Sequence, residues 1–175
     1  HLLQLILDMI KTNYLQAMIL GGIIEQIFVP IPSPIITMAG GAIIISRHLP
    51  LLPALLQIIQ KVSLPYSFGA TIGSSLVFLA AYFGGKPIID RFGRYVGLSW
   101  KLIEKIRSDF KKSIADELFI LISCSIPVIP VSLVAGFCGG FKIAPAKYYP
   151  MLFAALLIRS TILGLLGFQM GDAFL

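Results

Sequence analysis

Long apolar runs separated by short polar stretches dominate the hydrophobic pattern of this chain. The run at residues 14–29, YLQAMILGGIIEQIFV, predicts an apolar helix, and the stretch at 51–62 predicts a short amphipathic piece. The runs at 65–84 and 148–170 are long enough to cross a membrane, which takes about 20 residues. The pattern therefore predicts an all-α protein with membrane-spanning helices.

Prolines break two further apolar runs, at residues 27–41 and 118–141. Proline lacks a backbone donor and blocks the helical turn before it, so the pieces on either side are shorter than a span needs. Such pieces predict two re-entrant hairpins, and the alternative is a pair of ordinary spans that the prolines merely kink. The prolines are Pro30, Pro32 and Pro34 in the first run, and Pro127 and Pro130 in the second.

The two broken runs form an internal repeat. In each, a proline pair precedes an Ala-Gly step, at Ala39–Gly40 and at Ala135–Gly136, and a long helix follows after a connection. Broken segments in corresponding halves are typical of inverted-repeat transporters, in which the breaks meet near the bilayer midplane and form the substrate site. Because broken backbone is tolerated there only beside protein or water, we expect an enclosed polar chamber.

Composition supports a membrane location. The 175 residues are 57% hydrophobic and 13% charged, and the mean hydropathy is +0.92, which excludes an ordinary soluble protein. We expect one integral membrane domain over residues 1–175, with a first half at about 14–84, a connector at about 85–113 and a second half at about 114–172. The run 65–84 carries small residues such as Gly69 and Gly73, which permit close helix contact.

The net charge of +6 is concentrated in one segment. Eight of the fourteen basic residues lie within residues 86–112, which predicts a multi-pass protein of the cell membrane with this segment in the cytoplasm. A basic segment beside spans favours contact with anionic headgroups over nucleic acid, so no nucleic-acid partner is predicted. Leu102, Ile103, Ile106 and Phe110 recur at helical intervals, which predicts a cytoplasmic amphipathic helix.

Two ionisable residues lie inside apolar runs, where burial costs at least about 2.5 to 3.5 kcal/mol and usually serves a function. Glu25 precedes the first break and Arg159 lies in the last helix. We expect Arg159 to bind an anionic headgroup and Glu25 to be its titratable partner; the alternative is a structural ion pair. The full candidate substrate-binding set is Glu25, Pro30, Pro32, Ser33, Ser125, Pro127, Pro130 and Arg159.

Residue patterns for catalysis are absent from the sequence. There is no Ser-His-Asp pattern, no His/Cys metal spacing and no phosphate-cradling glycine loop, so we predict neither an enzyme nor a metal or cofactor site. Cys124 and Cys138 stand in apolar surroundings, where we expect small buried hydrophobic side chains rather than a disulfide or redox pair.

Several stretches resemble the DedA family, also called the SNARE-associated or VTT-domain proteins. They are Glu25 followed by PIPSP and an Ala-Gly step, GATIGSSLVFLAAYFGGKPIIDRFGRYVGLS at 69–99, SIPVIPVSLVAGF at 125–137 and LLIRSTILGLLGF at 156–168. The resemblance extends over nearly the whole chain. The resemblance implies two re-entrant hairpins of inverted topology. It also implies movement of lipids between leaflets, of polyprenyl phosphates or of phospholipids.

Three positions depart from the family pattern. Pro34 and Ser74 stand where many members have an acidic residue, and Cys124 stands where many have an arginine. Arg159 is our candidate for the anion-binding role that an arginine at position 124 would have.

These observations together predict a lipid translocase for a phosphate-bearing lipid, with membrane lipids as partners. Coupling to protons or sodium and assembly into a homo-oligomer stay open. Two alternatives are an ion-coupled transporter of a small soluble solute and a non-transporting membrane scaffold.

Overall fold

The computed structural model describes residues 12–27, 34–46, 48–92 and 115–171. These residues form helices joined by short turns, and none of them lies in a β-strand, so the prediction of an all-α protein is confirmed for this part of the chain. The helices are α1 (Tyr14–Ile27), α2 (Pro34–Ile44), α3 (Leu51–Ile58), α4 (Leu64–Phe92), α5 (Ala115–Ser125), α6 (Val131–Gly140) and α7 (Pro145–Gln169).

Two predicted features lie outside the described residues. The first is the proline break itself, with Pro30, Pro32 and Ser33. The second is most of the basic connector, including the amphipathic helix that we expect around residues 102–110. Both stay predictions.

Within the described residues, two helices are long and apolar enough to cross a membrane, Leu51–Gly84 with 34 residues and Pro145–Gln169 with 25. Large apolar side chains point outward from them: Leu52 is 70% exposed and Phe83 78% exposed. A soluble protein seldom leaves so many large apolar groups uncovered, whereas acyl chains would cover them. The composition and the helices thus agree on a membrane protein.

The piece at 51–62 and the span at 65–84 are one helix rather than two. A π-helical segment, Ile59–Ser63, joins α3 to α4, and the Leu64 N–H donates to the Ile59 carbonyl across it. Pro65 follows directly and cannot donate to the carbonyl four residues earlier. The wider π turn accommodates the proline ring and lets the helix continue where the sequence pattern suggests an interruption.

The chain divides into two compact units. The first comprises His1–Gly73 and Leu156–Leu175, and the second comprises Ser74–Ala155. The end of α7 therefore packs with the first unit, although it belongs to the second half of the predicted repeat.

In the first unit, α1 and α2 pack against each other. A Cβ atom placed on Gly21 would lie 2.9 Å from Ile36 Cγ2, and one on Gly40 would lie 3.0 Å from Met18 Sδ. The residue numbers of the contacts decrease along α1, from 21 to 18, while they increase along α2, from 36 to 40. The two helices are therefore antiparallel. These helices have 14 and 11 residues, and the second is too short to cross a membrane.

A second helical hairpin lies in the second unit, around Pro127 and Pro130. Residues 126–130 leave the helical conformation, and the Pro130 carbonyl accepts the first bonds of α6 from Leu133 N at 3.1 Å and Val134 N at 3.4 Å. The rings of Phe119 and Phe137 then meet with centroids 5.4 Å apart. In one straight helix the same two residues would be about 27 Å apart. The second break therefore reverses the chain instead of kinking it.

This reversal can be measured with spin labels at positions 119 and 137, in a chain whose two cysteines are replaced by alanine. We expect strong dipolar broadening, because the ring contact places the two positions side by side. Met151 and Gln169 are an equally spaced pair within α7 and should give a distance of about 27 Å. Equal distances for the two pairs would contradict the hairpin.

Candidate functional site

Glu25 is buried on the inner face of α1. It is 4% exposed, and it shares that face with Met18, Gly22 and Gln26, which follow the spacing of one helical stripe. The face is buried because α1 approaches α4 very closely. A Cβ atom on Gly22 would lie 2.5 Å from the Tyr66 carbonyl oxygen, so only a glycine fits there.

Glycines on α4 complete the same contact. A Cβ atom on Gly69 would collide with the Ile19 carbonyl oxygen, and one on Gly73 would lie 2.8 Å from the Ile23 carbonyl oxygen. The predicted close packing at Gly69 and Gly73 is confirmed, and its partner is α1. This contact brings the polar end of α1 against α4.

Tyr66 is the direct partner of Glu25. Its hydroxyl donates a hydrogen bond to Glu25 Oε1 at 2.8 Å, and the Tyr66 side chain is 1% exposed. Buried Gln26 lies near the same hydroxyl. A bond from a hydroxyl to a carboxylate in a dry environment is stronger than one between neutral groups. Tyr66 therefore holds the carboxylate in place.

Arg159 joins this cluster from α7. It is 1% exposed and is the largest fully buried side chain among the described residues. Its positive charge and the negative charge of Glu25 both act on the Tyr66 hydroxyl, so all three groups share one buried environment in the first unit. The structure thus brings together the two charged residues that the sequence singled out, around a tyrosine that it did not.

Hydroxyl side chains extend the polar cluster between α4 and α7. Ser67 Oγ lies 3.4 Å from Ser160 Oγ, and Thr161 Oγ1 lies 2.9 Å from Ser63 Oγ. Ser160 donates to the Leu156 carbonyl at 2.6 Å, as hydroxyls in membrane helices often do. Because that bond uses the one hydroxyl hydrogen of Ser160, Ser67 is the donor between the two serines.

The candidate residues of the second break lie in the other compact unit. Ser125 donates to the Leu121 carbonyl of its own helix at 2.6 Å, Pro127 lies in the turn and Pro130 precedes α6. Their role in substrate binding stays a prediction, as does that of Pro30, Pro32 and Ser33.

A second buried polar group lies in the second unit. Tyr148 is fully buried and stacks on Phe78 with ring centroids 4.1 Å apart and an interplanar angle of 9°. Ser74 is buried near the Tyr148 hydroxyl, which has no hydrogen-bond partner among the described residues. Cys124 and Cys138 are buried near the same tyrosine and form no disulfide, which confirms the prediction of small buried side chains.

Tyr66 and Gln26 were not among the sequence candidates, although the sequence does carry a signal for each. Tyr66 lies three and seven residues before Gly69 and Gly73, hence on the same face of the helix. Gln26 follows Glu25 directly within an apolar run. A polar residue in register with small residues faces the helix contact and not the lipid.

The chain was also compared with known protein families, curated proteins and solved structures. The family model of the VTT domain matches residues 31–169, which is well over half of the chain. No curated protein and no solved structure matches the chain significantly.

Proposed function

Because the chain belongs to the VTT-domain family, whose members are membrane proteins linked to transport and lipid handling, we propose that it is a lipid translocase. The cargo is a phosphate-bearing lipid, either a polyprenyl phosphate or a phospholipid, which is moved between leaflets without chemical change. The observation that carries the proposal is the buried cluster of Glu25, Tyr66 and Arg159 inside a unit with apolar outer surfaces.

Arg159 is the proposed phosphate ligand. A guanidinium presents five donors in a rigid fork that matches two phosphate oxygens, and it keeps its charge when buried. The charges of Arg159 and Glu25 both act on the Tyr66 hydroxyl, so we expect an entering phosphate to compete with the carboxylate for the arginine. This competition makes phosphate binding reversible, because the Glu25 carboxylate can interact with Arg159 again when the lipid leaves.

Glu25 is the proposed partner in this exchange and the candidate for proton coupling. Its bond from Tyr66 keeps the carboxylate at the cluster while Arg159 engages the phosphate. The two helical hairpins support a transporter of the inverted-repeat kind, in which we propose that both hairpins are re-entrant and that the basic segment 86–112 is cytoplasmic. The lipid tail would stay in the bilayer throughout.

Leaflet exchange in proteoliposomes tests the proposal directly. Wild-type protein should move a fluorescent phosphate-bearing lipid between leaflets. We expect Arg159→Lys, which keeps the charge but loses the two-pronged donor geometry, to lower the rate about tenfold or more. The same assay with and without a pH gradient checks the coupling to protons.

Thr71→Val is the matched control. Thr71 lies one turn from Ser67 on α4 and donates to the Ser67 carbonyl at 2.7 Å, so its hydroxyl bonds to its own helix. The valine variant should exchange lipid at close to the wild-type rate. Absence of exchange by folded wild-type protein would refute the translocase, and equal rates for wild type and Arg159→Lys would remove Arg159 from the mechanism.

A further inference from the structure

Helix α6 ends on a lysine in a conformation that favours glycine. The Ile143 N–H donates to the Cys138 carbonyl at 3.0 Å and the Lys142 N–H donates to the Gly139 carbonyl at 2.9 Å, which are the two bonds of a Schellman cap. Lys142 therefore occupies the left-handed position of this cap, with a φ angle of 58°. A residue with a Cβ atom is strained there, and glycine is the usual solution.

The lysine side chain is placed over an aromatic ring. Lys142 Nζ lies 4.5 Å from the centre of the Tyr82 ring, within the range of a cation–π contact. This contact occupies one side of the ammonium and leaves donors on the other. Across the described ranges of the chain, no carboxylate pairs with Lys142, whereas neighbouring Lys147 pairs with Glu117 at 3.3 Å.

The surroundings are those of a membrane–water interface. Residues 144–147, which lead into α7, are exposed, and Lys142 itself is half-buried. Tyr82 packs edge-on against Phe83 with centroids 5.4 Å apart, near the end of the apolar span Leu51–Gly84. Tyrosines beside lysines at the end of an apolar helix are typical of the headgroup level of a bilayer.

We propose that Lys142 and Tyr82 form a binding site for the phosphate group of an anionic lipid at the surface of the second unit. The strained cap holds the ammonium over the ring, the ring fixes its direction, and the remaining donors face a phosphate. This site would bind a headgroup whether or not the protein translocates lipid, so its test does not depend on the leaflet exchange assay.

Lipid binding to the full chain in detergent tests the site, with native mass spectrometry for occupancy and thermal unfolding for stability. The probes are phosphatidylglycerol, zwitterionic phosphatidylcholine and inorganic phosphate. We expect Lys142→Gly to lower the affinity for phosphatidylglycerol about fivefold. Because glycine relieves the backbone strain, the same variant should unfold at a higher temperature than wild type when no lipid is present.

Two further variants separate charge from structure. Lys142→Arg keeps a cation over the ring and should retain most of the affinity, and Lys147→Gln removes a neighbouring cation that already has a partner and should bind like wild type. Binding of inorganic phosphate that depends on Lys142 would assign the site to free phosphate, and binding of phosphatidylglycerol alone would assign it to the lipid. Equal affinity of wild type and Lys142→Gly for both probes would overturn the proposal.

Discussion

Replacing Arg159 by leucine is expected to destabilise the protein by about 3 to 5 kcal/mol, the usual cost of removing one partner from a buried group of opposite charges. Arg159 is 1% exposed and Glu25 4% exposed, so the leucine variant leaves a carboxylate that water cannot reach. Chemical unfolding of the purified protein in detergent measures the loss. Arg159→Lys retains the charge and should lose much less stability.

The double variant Glu25→Leu/Arg159→Leu separates transport from structure. Removing both charges eliminates the uncompensated carboxylate, so we expect stability to return to near the wild-type value or to exceed it. The double variant should nevertheless lose leaflet exchange, because Arg159, the proposed phosphate ligand, is missing. A double variant that moves lipid at the wild-type rate would show that the pair stabilises the protein and takes no part in transport.

Gly69→Ala is expected to be the second most damaging change, although it adds a single methyl group. The new Cβ atom would overlap the Ile19 carbonyl oxygen, which is backbone and cannot rotate away, so α1 and α4 must separate. Overpacking of this kind costs about 1 to 3 kcal/mol and sometimes more. The separation should also lengthen the bond between Tyr66 and Glu25, so exchange should fall together with stability.

Gly136→Ala is the matched control for this substitution. Gly136 also lies inside a helix, but the one contact that its new Cβ atom would make with the described residues is an ordinary one, with Val77 Cγ1 at 3.8 Å. Alanine is the better helix former, so this variant should be unchanged or more stable by up to about 1 kcal/mol. Equal losses at Gly69 and Gly136 would mean that the close packing of α1 against α4 is not what holds the site.

Much of the fold could be predicted because it depends on local sequence. The long span Pro145–Gln169 follows from an apolar run, and the break at Pro127 and Pro130 follows from two missing backbone donors. The joining of α3 to α4 could not be predicted in the same way. Pro65 suggests an interruption, but a π turn of five residues absorbs the proline without ending the helix.

The sequence predicted two residues of the buried cluster, Glu25 and Arg159, but not the third, Tyr66. Glu25 and Arg159 stand out because a charge inside an apolar run is costly wherever the run folds. Tyr66 did not stand out, since a tyrosine in a membrane helix is ordinary and its hydroxyl finds a partner 41 residues away in the chain. The hydrogen bond between Tyr66 and Glu25 forms because glycines let the backbones of α1 and α4 approach closely.

The sequence by itself determined the membrane setting, the helices, the broken runs and the two charged residues, because hydropathy, proline geometry and the cost of a buried charge act within a few residues. The tertiary structure alone decided that α1 lies against α4, that the end of α7 belongs with the first unit, and that Tyr66 binds Glu25 within the electrostatic reach of Arg159. These packing arrangements depend on which helix surfaces are complementary in shape. Complementarity between segments that are distant in the chain cannot be inferred from a local sequence pattern.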